Sequence, residues 1–461
     1  MLTLTIHHHY TQLHFDYPQP LLERQIKQLV SYEVDGAFFA GPYAQKQKSL
    51  YSHHKFPTGF LPQLLEFLQR SEIPCALIDH RGLPEYTTQV VPLCNLAYRP
   101  YQVRGITEGL LNSRMVFQWP PGTGKTELLL GLIASLGYRK TLWLTSSKNV
   151  LFQTDHRIGE RIPKALASID LHFPQTLWKR VRSAPHIFLK EYGILIIDEC
   201  HHTQSDTWYR IAMNCNAKFR FGTSATPFEA ANGNIQLFAA ISGKSNLLTY
   251  ADCYRNGWLS QPHVRMVHYH TTPVDPPTRT VRNQFNRQTG SSLQAPRWDK
   301  LYEQGIACCT ERNALAVAEA RRYLEHNLQP LIITRFVKKH AHPLRDLCKQ
   351  AGLRTELVTG SSDEEQRVEA IGHLIDRKCD VLIASCILGE GQDIPDLPAI
   401  INLVAGDSKK QTVQITGRTM RPQSPSFVTD FQDDQHHILQ RHSNARRESY
   451  REIGAEIEEV R

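Results

Sequence analysis

The chain has 461 residues, of which 41% are hydrophobic and 21% are charged, with 26 glycines and 26 prolines. This length exceeds what one hydrophobic core usually supports, and the composition excludes a disordered or fibrous chain, so we expect two or three globular domains. The formal net charge of +8 is compatible with a polyanionic partner but is too small to indicate one by itself.

Segments that direct a protein to a membrane or to an oxidising compartment are not expected. The longest apolar runs, such as residues 193–197 and 328–334, are far shorter than the roughly 18 to 20 residues that span a bilayer. Residues 1–20 lack the basic leader and long apolar run of a secretory signal. The ten cysteines form no CxxC pair. We therefore expect an intracellular protein with reduced cysteines.

Residues 1–95 carry no chemical motif and are predicted to form a small α/β accessory domain. They contain a strand-like stretch, GAFFAGPYA from Gly36, and a helical pattern, LPQLLEFLQR from Leu61. We expect this domain to set the choice of substrate.

From Tyr98 the sequence alternates between short apolar runs and amphipathic helical patterns. The runs MVFQW, TLWLTSS and GILIIDE are strand-like, and ELLLGLIASLG between the first two is helical. This alternation is typical of a doubly wound parallel sheet, which we assign to residues 96–258.

Residues 271–298 interrupt the pattern, because they are polar, basic and rich in proline, and they are predicted to form a long connection or an insertion. Four arginines there could line a path for nucleic acid or lie in a solvated loop: Arg279, Arg282, Arg287 and Arg297. Alternation resumes with PLIITRF, HPLRDLCKQAG, DVLIASC and AIINLV, which predict a second α/β lobe within residues 259–461. A polar helical segment from Gln435 onward is predicted to end the chain.

The strongest motif is WPPGTGKTELLL, residues 119–130, which follows a strand-like run and opens a helical pattern. Its two glycines let backbone N–H groups turn toward phosphate oxygens, and the positive end of the helix dipole adds to the attraction. Lys125 is expected to contact the β and γ phosphates of ATP, and Thr126 to bind Mg²⁺. The match is imperfect, since Trp119 replaces the first glycine of GxxxxGKT; the alternative is a glycine-rich turn beside a surface lysine. The predicted nucleotide contacts are Pro121, Gly122, Thr123, Gly124, Lys125 and Thr126.

The segment GILIIDECHH, residues 193–202, places two carboxylates at the carboxyl end of a buried strand. Buried carboxylates are costly unless they bind a cation, so Asp198 is interpreted as the carboxylate on the Mg²⁺ side. Glu199 is then expected to orient and deprotonate the attacking water. The alternative is a strand that ends in surface carboxylates.

Together with TSATP at residues 223–227 and QITGRTMR at residues 414–421, these segments resemble motifs I, II, III and VI of the superfamily 2 helicases, in that family's order. The resemblance covers roughly residues 98–450. It implies two tandem RecA-like doubly wound parallel-sheet lobes, here with a small N-terminal α/β accessory domain, and an ATP site between the lobes. It also implies ATP hydrolysis stimulated by nucleic acid, with ATP and Mg²⁺ as cofactors.

The second lobe is expected to contribute catalytic arginines. A three-residue spacing on a helix would put Arg418 and Arg421 on one face, where permanently charged guanidinium groups suit the charge that develops on a γ-phosphoryl group. Gln414, four residues before Arg418, would share that face and could contact the water or the γ-phosphate. The alternative is a basic surface helix.

Polar contacts between the motifs of the first lobe are also expected. The hydroxyls of Thr223, Ser224 and Thr226 could hydrogen-bond to the carboxylates and report the state of the nucleotide. His201 is expected to hydrogen-bond between motifs, because no histidine cluster has the spacing of a zinc site. We expect no structural metal besides Mg²⁺.

Three further segments match the family more weakly. RPYQ resembles the segment in which a glutamine contacts adenine, which would make Gln102 that contact; alternatively, Gln102 only caps a helix. TLWLTSSKNVLFQ resembles motif Ia, which would place Thr145 and Ser147 near the nucleic-acid backbone. SCILGEGQDIPDL resembles motif V, which would place Asp393 near the ribose or the lobe interface.

The resemblance implies a DNA motor. DECH followed by TSATP fits the Rec-like and XPB-like branch better than the RNA-specific DEAD-box group, and the sequence outside the motifs resembles UvsW-type phage branch-migration helicases. Those act on forked and four-way DNA in recombination and repair, in the cytoplasm of a bacterial or phage-infected cell. The alternatives are the motor subunit of a restriction or defence complex, with its nuclease on a separate chain, and an RNA-stimulated ATPase.

Overall fold

The computed structural model describes most of the chain. The described residues are 1–33, 47–166, 168–228, 234–281, 293–385 and 397–461. Within these ranges, no helix combines the length and the apolar composition needed to cross a membrane.

The chain divides into two compact units. The first comprises Met1–Trp119 with Gly124–Leu248, and the second comprises Pro120–Thr123 with Thr249–Arg461. Each unit contains a large parallel sheet, and the first also contains a smaller mixed sheet. The predicted domain boundaries at residues 95 and 258 stay predictions.

The smaller sheet lies in the amino-terminal part of the first unit, whose elements are β1 (Leu2–Ile6), β2 (Tyr10–Phe15), α1 (Pro20–Leu29), β3 (Ser31–Glu33), β4 (Gln47–Ser49), β5 (Lys55–Pro57), α2 (Leu61–Arg70) and β6 (Cys75–Asp79). Its strand order is β5-β2-β1-β6, and β3 pairs separately with β4. The alternating sequence LTLTI of β1 buries every second side chain. Of these, Leu2 and Leu4 pack with the apolar faces of α1 and α2. Helix α2 confirms the pattern predicted from Leu61, whereas the stretch from Gly36 lies outside the described residues.

The larger sheet of the first unit is a doubly wound α/β lobe, as predicted. Its elements are α3 (Pro100–Asn112), β7 (Arg114–Gln118), α4 (Lys125–Ser135), β8 (Thr141–Leu144), α5 (Lys148–Arg161), β9 (Ile169–His172), α6 (Pro174–Val181), α7 (Pro185–Phe188), β10 (Ile194–Asp198), α8 (Asp206–Asn214), β11 (Phe219–Ser224), α9 (Asn234–Ala240) and β12 (Ser245–Leu247). All strand pairs are parallel, in the order β12-β7-β11-β10-β8-β9. The central strands are buried on both faces, which explains their continuous apolar sequences.

This strand order determines where the motifs meet. Strands β7, β11 and β10 are neighbours in the sheet, and the glycine loop, TSATP and DECH lie at their respective carboxyl ends. Because parallel strands all end at the same edge, the three motifs converge there.

The second unit is also a parallel α/β lobe. Its elements are α10 (Tyr250–Arg255), β13 (His263–His268), β14 (Thr278–Val281), β15 (Leu293–Pro296), α11 (Trp298–Tyr302), α12 (Thr310–Glu325), β16 (Pro330–Thr334), α13 (His342–Gln350), β17 (Thr355–Val358), α14 (Glu364–Ile375), β18 (Val381–Ser385), β19 (Ala399–Asn402), α15 (Lys409–Thr416), β20 (Phe427–Gln432), α16 (His437–Glu452) and β21 (Glu456–Val460). The strand order of its parallel sheet is β17-β18-β16-β19-β20-β13-β21. The predicted fold class, two RecA-like parallel-sheet lobes with an amino-terminal α/β part, is confirmed.

Two details of the second unit differ from the sequence prediction or extend it. The polar segment 271–298 contains a two-stranded antiparallel ladder between β14 and β15, while Arg282 and Arg287 lie outside the described residues. The end of the chain is not wholly helical, because β21 follows α16 and pairs in parallel with β13. Its glutamates face basic partners on neighbouring elements, which offset the charge that made this segment unlike a strand.

Candidate nucleotide-binding site

The glycine loop has the backbone conformation that its sequence predicts. Gly122 and Gly124 have φ values of 79° and 77°, in the left-handed region that favours glycine. A Cβ atom on Gly124 would lie 2.5 Å from the side-chain nitrogen of Gln102, so a larger residue would have to displace Gln102 as well as adopt the strained φ. Thr123 Oγ1 donates a hydrogen bond of 2.7 Å to the carbonyl of Pro120 and so closes the turn.

Helix α4 begins directly after this loop, with Gly124 as its N-cap and Lys125 and Thr126 as its first residues. The first N–H groups of a helix have no partner within the helix, so they are available to an anion. The Lys125 ammonium donates a hydrogen bond of 3.4 Å to the carbonyl oxygen of Trp119. Its charge partly opposes the rise in the pKa of Asp198 that burial and Glu199 cause.

Gln102 supports the loop from helix α3. Its side-chain oxygen accepts from the backbone N–H of Arg99, which caps the helix, and its nitrogen donates to the Gly124 carbonyl at 3.3 Å. Gln102 is 4% exposed. Gln102 therefore has the helix-capping role that was the alternative to an adenine contact. The adenine contact stays a prediction.

The carboxylate pair lies at the end of β10, as predicted. Asp198 is its last residue, and burial, followed by the neighbouring Glu199, raises the pKa of Asp198 above its usual value. Glu199 has a φ of 50°, an uncommon conformation for a residue other than glycine. A half-buried acidic pair of this kind is an environment in which a divalent cation removes an electrostatic cost.

The TSATP hydroxyls contact both carboxylates. Thr223 Oγ1 donates to Asp198 at 2.8 Å, and Ser224 Oγ donates to Glu199 at 3.2 Å. These bonds confirm the predicted contact for Thr223 and Ser224, whereas the contact predicted for the Thr226 hydroxyl stays a prediction. Thr223 and Ser224 are the last two residues of β11 itself.

His201 completes this network. It lies in a 3₁₀ turn, Cys200–Gln204, and its Nδ1 is 2.9 Å from Ser224 Oγ and 3.2 Å from Glu199 Oε2. The expectation that His201 bonds between motifs is therefore confirmed.

A buried carboxylate on the helix after the loop was missed by the sequence prediction. Glu127 on α4 is 5% exposed and pairs with Arg157 from α5. One of its oxygens lies 3.1 Å from where a Gly124 Cβ would be. A partner 30 residues away leaves no local pattern, so no sequence signal pointed to this pair.

The residues expected near nucleic acid have protein contacts in the structure. Thr145 is fully buried after β8, and Ser147 Oγ accepts from the N–H of Val150 as the N-cap of α5. A contact of either side chain with nucleic acid stays a prediction. Asp393 lies outside the described residues.

The helix expected to carry Gln414, Arg418 and Arg421 ends too early for the predicted arrangement. Helix α15 stops at Thr416, so Gln414 is helical, Arg418 follows in a turn and Arg421 lies beyond that turn. Hydroxyls compete for the last carbonyls: Thr416 Oγ1 donates to Thr412, and Thr419 Oγ1 donates to Thr416. The prediction that the three residues share one helix face is therefore wrong, whereas their catalytic roles stay predictions.

Two family models match the chain. The model described as "Type III restriction enzyme, res subunit" matches residues 95–229, and "Helicase conserved C-terminal domain" matches residues 316–423. The first range contains the glycine loop and the carboxylate pair, and the second contains QITGRTMR.

Curated relatives extend across both lobes. Helicase 22 of Sulfolobus islandicus filamentous virus is 22% identical over 362 residues, which are 72% of this chain and 63% of that protein. The DNA 3'-5' translocase XPB2 of Sulfurisphaera tokodaii is 21% identical over 349 residues, 70% of this chain and 78% of that protein. The chain thus spans less than two thirds of the first relative's length.

Among solved structures, the ATP-dependent type ISP restriction-modification enzyme LlaBIII bound to DNA has a TM-score of 0.53 at 14% identity. The match covers 86% of this chain and 34% of that chain, and at this identity it concerns the fold alone. The two family models and the relatives that span both lobes place the chain in superfamily 2 of the helicases.

Proposed function

We propose that the chain is an ATP-dependent motor that moves on DNA or remodels it. The observation that carries the proposal is the convergence, at one sheet edge, of Lys125, the two carboxylates and the hydroxyls that bond to them. A structural turn with a surface lysine would not require this hydrogen-bonded network, which is partly buried.

The residues present fit a metal-bound nucleotide. Two glycines with positive φ form a cradle that a Cβ atom would fill, and Asp198 is a half-buried carboxylate whose pKa is raised by desolvation and by the neighbouring Glu199. In the proposal, Lys125 and the N–H groups of the loop bind the phosphates, while Thr126 and Asp198 hold Mg²⁺. Bound Mg²⁺ would neutralise charge on the phosphate oxygens.

Glu199 is proposed to take a proton from the attacking water. Ser224 and His201 both contact its Oε2, so they fix the direction of the carboxylate. A base held in place before the reaction needs no reorganisation when the proton moves.

Arg418, Arg421 and Gln414 are proposed to stabilise the charge on the γ-phosphoryl group. They belong to the second unit, so turnover in this proposal depends on both units. This dependence would couple each hydrolysis to a movement, which is what a translocase needs.

DNA is the proposed track. XPB2, which is named as a DNA translocase, matches 70% of this chain, whereas the splicing RNA helicase PRP28 of Yarrowia lipolytica matches 24%. The finer proposal, a UvsW-type motor in the cytoplasm that remodels forked or branched DNA, rests on the sequence outside the motifs. Residues 1–95 would then select the DNA structure.

The test is the steady-state ATPase rate of the full chain without nucleic acid and with single-stranded DNA, duplex, fork, four-way junction or RNA. We expect DNA to stimulate hydrolysis, and Glu199→Gln to lower the stimulated rate on the order of 10²-fold or more, because it removes the base. The matched control is Glu191→Gln, which changes an exposed glutamate that pairs with Lys140.

The outcomes separate the levels of the proposal. Stimulation that is strongest with forks or junctions supports the branched-DNA substrate, and equal stimulation by all DNAs supports only a DNA translocase. Strongest stimulation by RNA refutes the DNA track. A rate that no nucleic acid changes, or that Glu199→Gln leaves intact, refutes the motor proposal for the isolated chain.

A second candidate is the motor subunit of a restriction or defence complex. The match of residues 95–229 to a type III restriction subunit favours it. This candidate predicts that the tagged chain co-purifies from its own cells with a nuclease, and that the pair cleaves DNA only when ATP is hydrolysed.

A further inference from the structure

A cavity of about 660 Å³ lies in the first unit, where the amino-terminal part packs on the first lobe. Helix α2 forms one wall. The other wall contains the end of α3, the start of β7 and residues 242–245 before and at the start of β12. Its volume is within the range of sites that bind small molecules, roughly 300 to 1,000 Å³.

The cavity is distant from the nucleotide site. Arg114 lines it at the amino end of β7, whereas the glycine loop follows the carboxyl end. Four residue steps of strand separate Arg114 from Gln118, which is about 13 Å at the usual rise per residue. A ligand in this cavity would therefore not occupy the glycine loop.

Positive charge dominates the lining. Arg81, Arg114 and Lys244 are cationic, and Glu66 is the carboxylate among the lining residues. Glu66 is already paired with Arg70. Arg81 is paired with Asp79, but the Lys244 ammonium contacts only an amide oxygen, that of Asn112, at 2.8 Å in the contacts that the structure describes.

Arg114 is the unusual member of this group. It is 5% exposed, it donates to the carbonyl of His8, and its Nε has no hydrogen-bond partner. In the described part of the chain, no carboxylate forms an ion pair with it. Burial and the nearby Arg220 and Arg81 lower the pKa of Arg114 well below its usual value. Because arginine stays protonated in proteins, Arg114 keeps its charge, and a bound anion would offset the electrostatic cost of burying that charge.

The charges behind the cavity wall add to the field. Arg220 is 1% exposed and donates to four backbone carbonyls, those of Ala212, Cys215, Ala217 and Ala240, and its Nη2 lies 3.3 Å from His9 Nδ1. The Lys218 ammonium donates to the carbonyl of Gly82. Burial, followed by Lys218 for His8 and by Arg220 for His9, lowers the pKa values of both histidines to about 4, so both are neutral near pH 7. The local field therefore favours a negative group.

We propose that this cavity is a second anion site, which binds a phosphate group through Arg114, Arg81 and Lys244. Guanidinium groups bind phosphate oxygens in a bidentate manner, and the Lys244 ammonium adds a point charge. The phosphate group can belong to a free phosphate compound or to a nucleic-acid backbone, and the experiment distinguishes these two sources.

The test uses the full chain with Lys125→Ala, which disables the glycine loop as a competing phosphate site. The probes are pyrophosphate, measured by titration calorimetry, and a single-stranded 20-mer, whose affinity is measured at several salt concentrations. The test variant adds Arg81→Gln and Lys244→Gln, which leave the buried Arg114 in place. The matched control adds Arg24→Gln and Lys27→Gln, which remove two exposed cations from α1 in the same part of the chain.

We expect the test variant to weaken binding of one probe roughly tenfold or more, the loss expected from two charge-assisted contacts, and the control variant to bind as the parent does. Weaker pyrophosphate binding identifies a free phosphate compound. For the 20-mer, a slope of log K against log salt concentration that is less steep by about one unit for each cationic residue removed identifies the nucleic-acid backbone. The charge-conserving pair Arg81→Lys with Lys244→Arg should restore binding. If the test and control variants bind both probes equally, the proposal is wrong.

Discussion

At the residue scale, Glu199 combines an uncommon backbone conformation with a constrained side chain. Its φ of 50° lies in the left-handed region, which costs a residue other than glycine roughly 1 to 2 kcal/mol. Its Oε2 accepts from Ser224 at 3.2 Å and lies 3.2 Å from His201 Nδ1. A strained residue whose side chain is held from two sides is typical of a functional position.

Ser224 is predicted to act through Glu199 as a positioning residue. Ser224→Ala removes the hydroxyl that contacts both Glu199 and His201, so the base loses its fixed direction. We expect kcat of the DNA-stimulated ATPase to fall roughly tenfold or more, with little change in KM for ATP, because the phosphate contacts remain. Steady-state kinetics at saturating DNA measure both constants.

The control for this prediction is Ser135→Ala. Ser135 is also buried, and its Oγ accepts a single backbone hydrogen bond, from Val91, away from the carboxylates. Both variants lose a buried serine contact, so a loss of stability alone would lower their activities together. An equal effect of the two substitutions on kcat would contradict the positioning role.

The site residues differ in how far the sequence determines them. Lys125, Asp198 and Glu199 lie in local patterns, a glycine loop before a helix and an acidic pair after an apolar strand, so their positions were predictable. The partner of Glu127 is Arg157, and only the packing of α5 beside α4 brings them together. No local pattern contains that information.

At the element scale, helix α16 is attached to its lobe by buried charge rather than by apolar packing alone. Arg446 is 1% exposed and forms ion pairs with Asp430 and Asp433, both fully buried around the end of β20. Arg312 from α12 also pairs with Asp433. The charged Arg446 side chain of this polar segment thus belongs to the core of the lobe. The sequence alone predicted only a polar helix, because it does not show which charges are paired and buried.

Arg446→Ala is predicted to destabilise the second unit strongly. It leaves Asp430 and Asp433 buried with fewer partners, and breaking a buried pair on one side costs about 3 to 5 kcal/mol. Urea unfolding followed by tryptophan fluorescence and circular dichroism measures the change. Arg451→Ala is the control on the same helix, because Arg451 is 60% exposed and pairs only with the exposed Glu448 in the contacts described. It should change the free energy of unfolding by less than about 0.5 kcal/mol; equal losses in the two variants would contradict the role of the buried charges.

At the scale of the whole molecule, alternating strands and helices predicted both parallel sheets, because a strand buried on both faces leaves a continuous apolar run. Strand β21 escaped prediction since Glu456, Glu458 and Glu459 become compatible with a sheet only beside basic partners on other elements. The end of α15 escaped it because no proline marks that position, where the hydroxyls of Thr416 and Thr419 bond to backbone carbonyls. At β21 the structure depends on contacts with other elements, and at the end of α15 side chains bond to the last carbonyls. Intrinsic propensity predicts neither feature.

Nucleotide binding at the glycine loop is expected to stabilise the folded chain. A ligand that binds only the folded state stabilises it, by about 2.7 kcal/mol at 100 times its Kd. We expect a non-hydrolysable ATP analogue with Mg²⁺ to raise the melting temperature of the chain, and EDTA to remove most of this gain, because Thr126 and Asp198 would lose the cation. Lys125→Ala should abolish the shift, whereas Lys164→Ala, an exposed lysine of the same unit, should retain it. A nucleotide-induced shift that survives Lys125→Ala would place the nucleotide elsewhere and would contradict the assignment of the glycine loop.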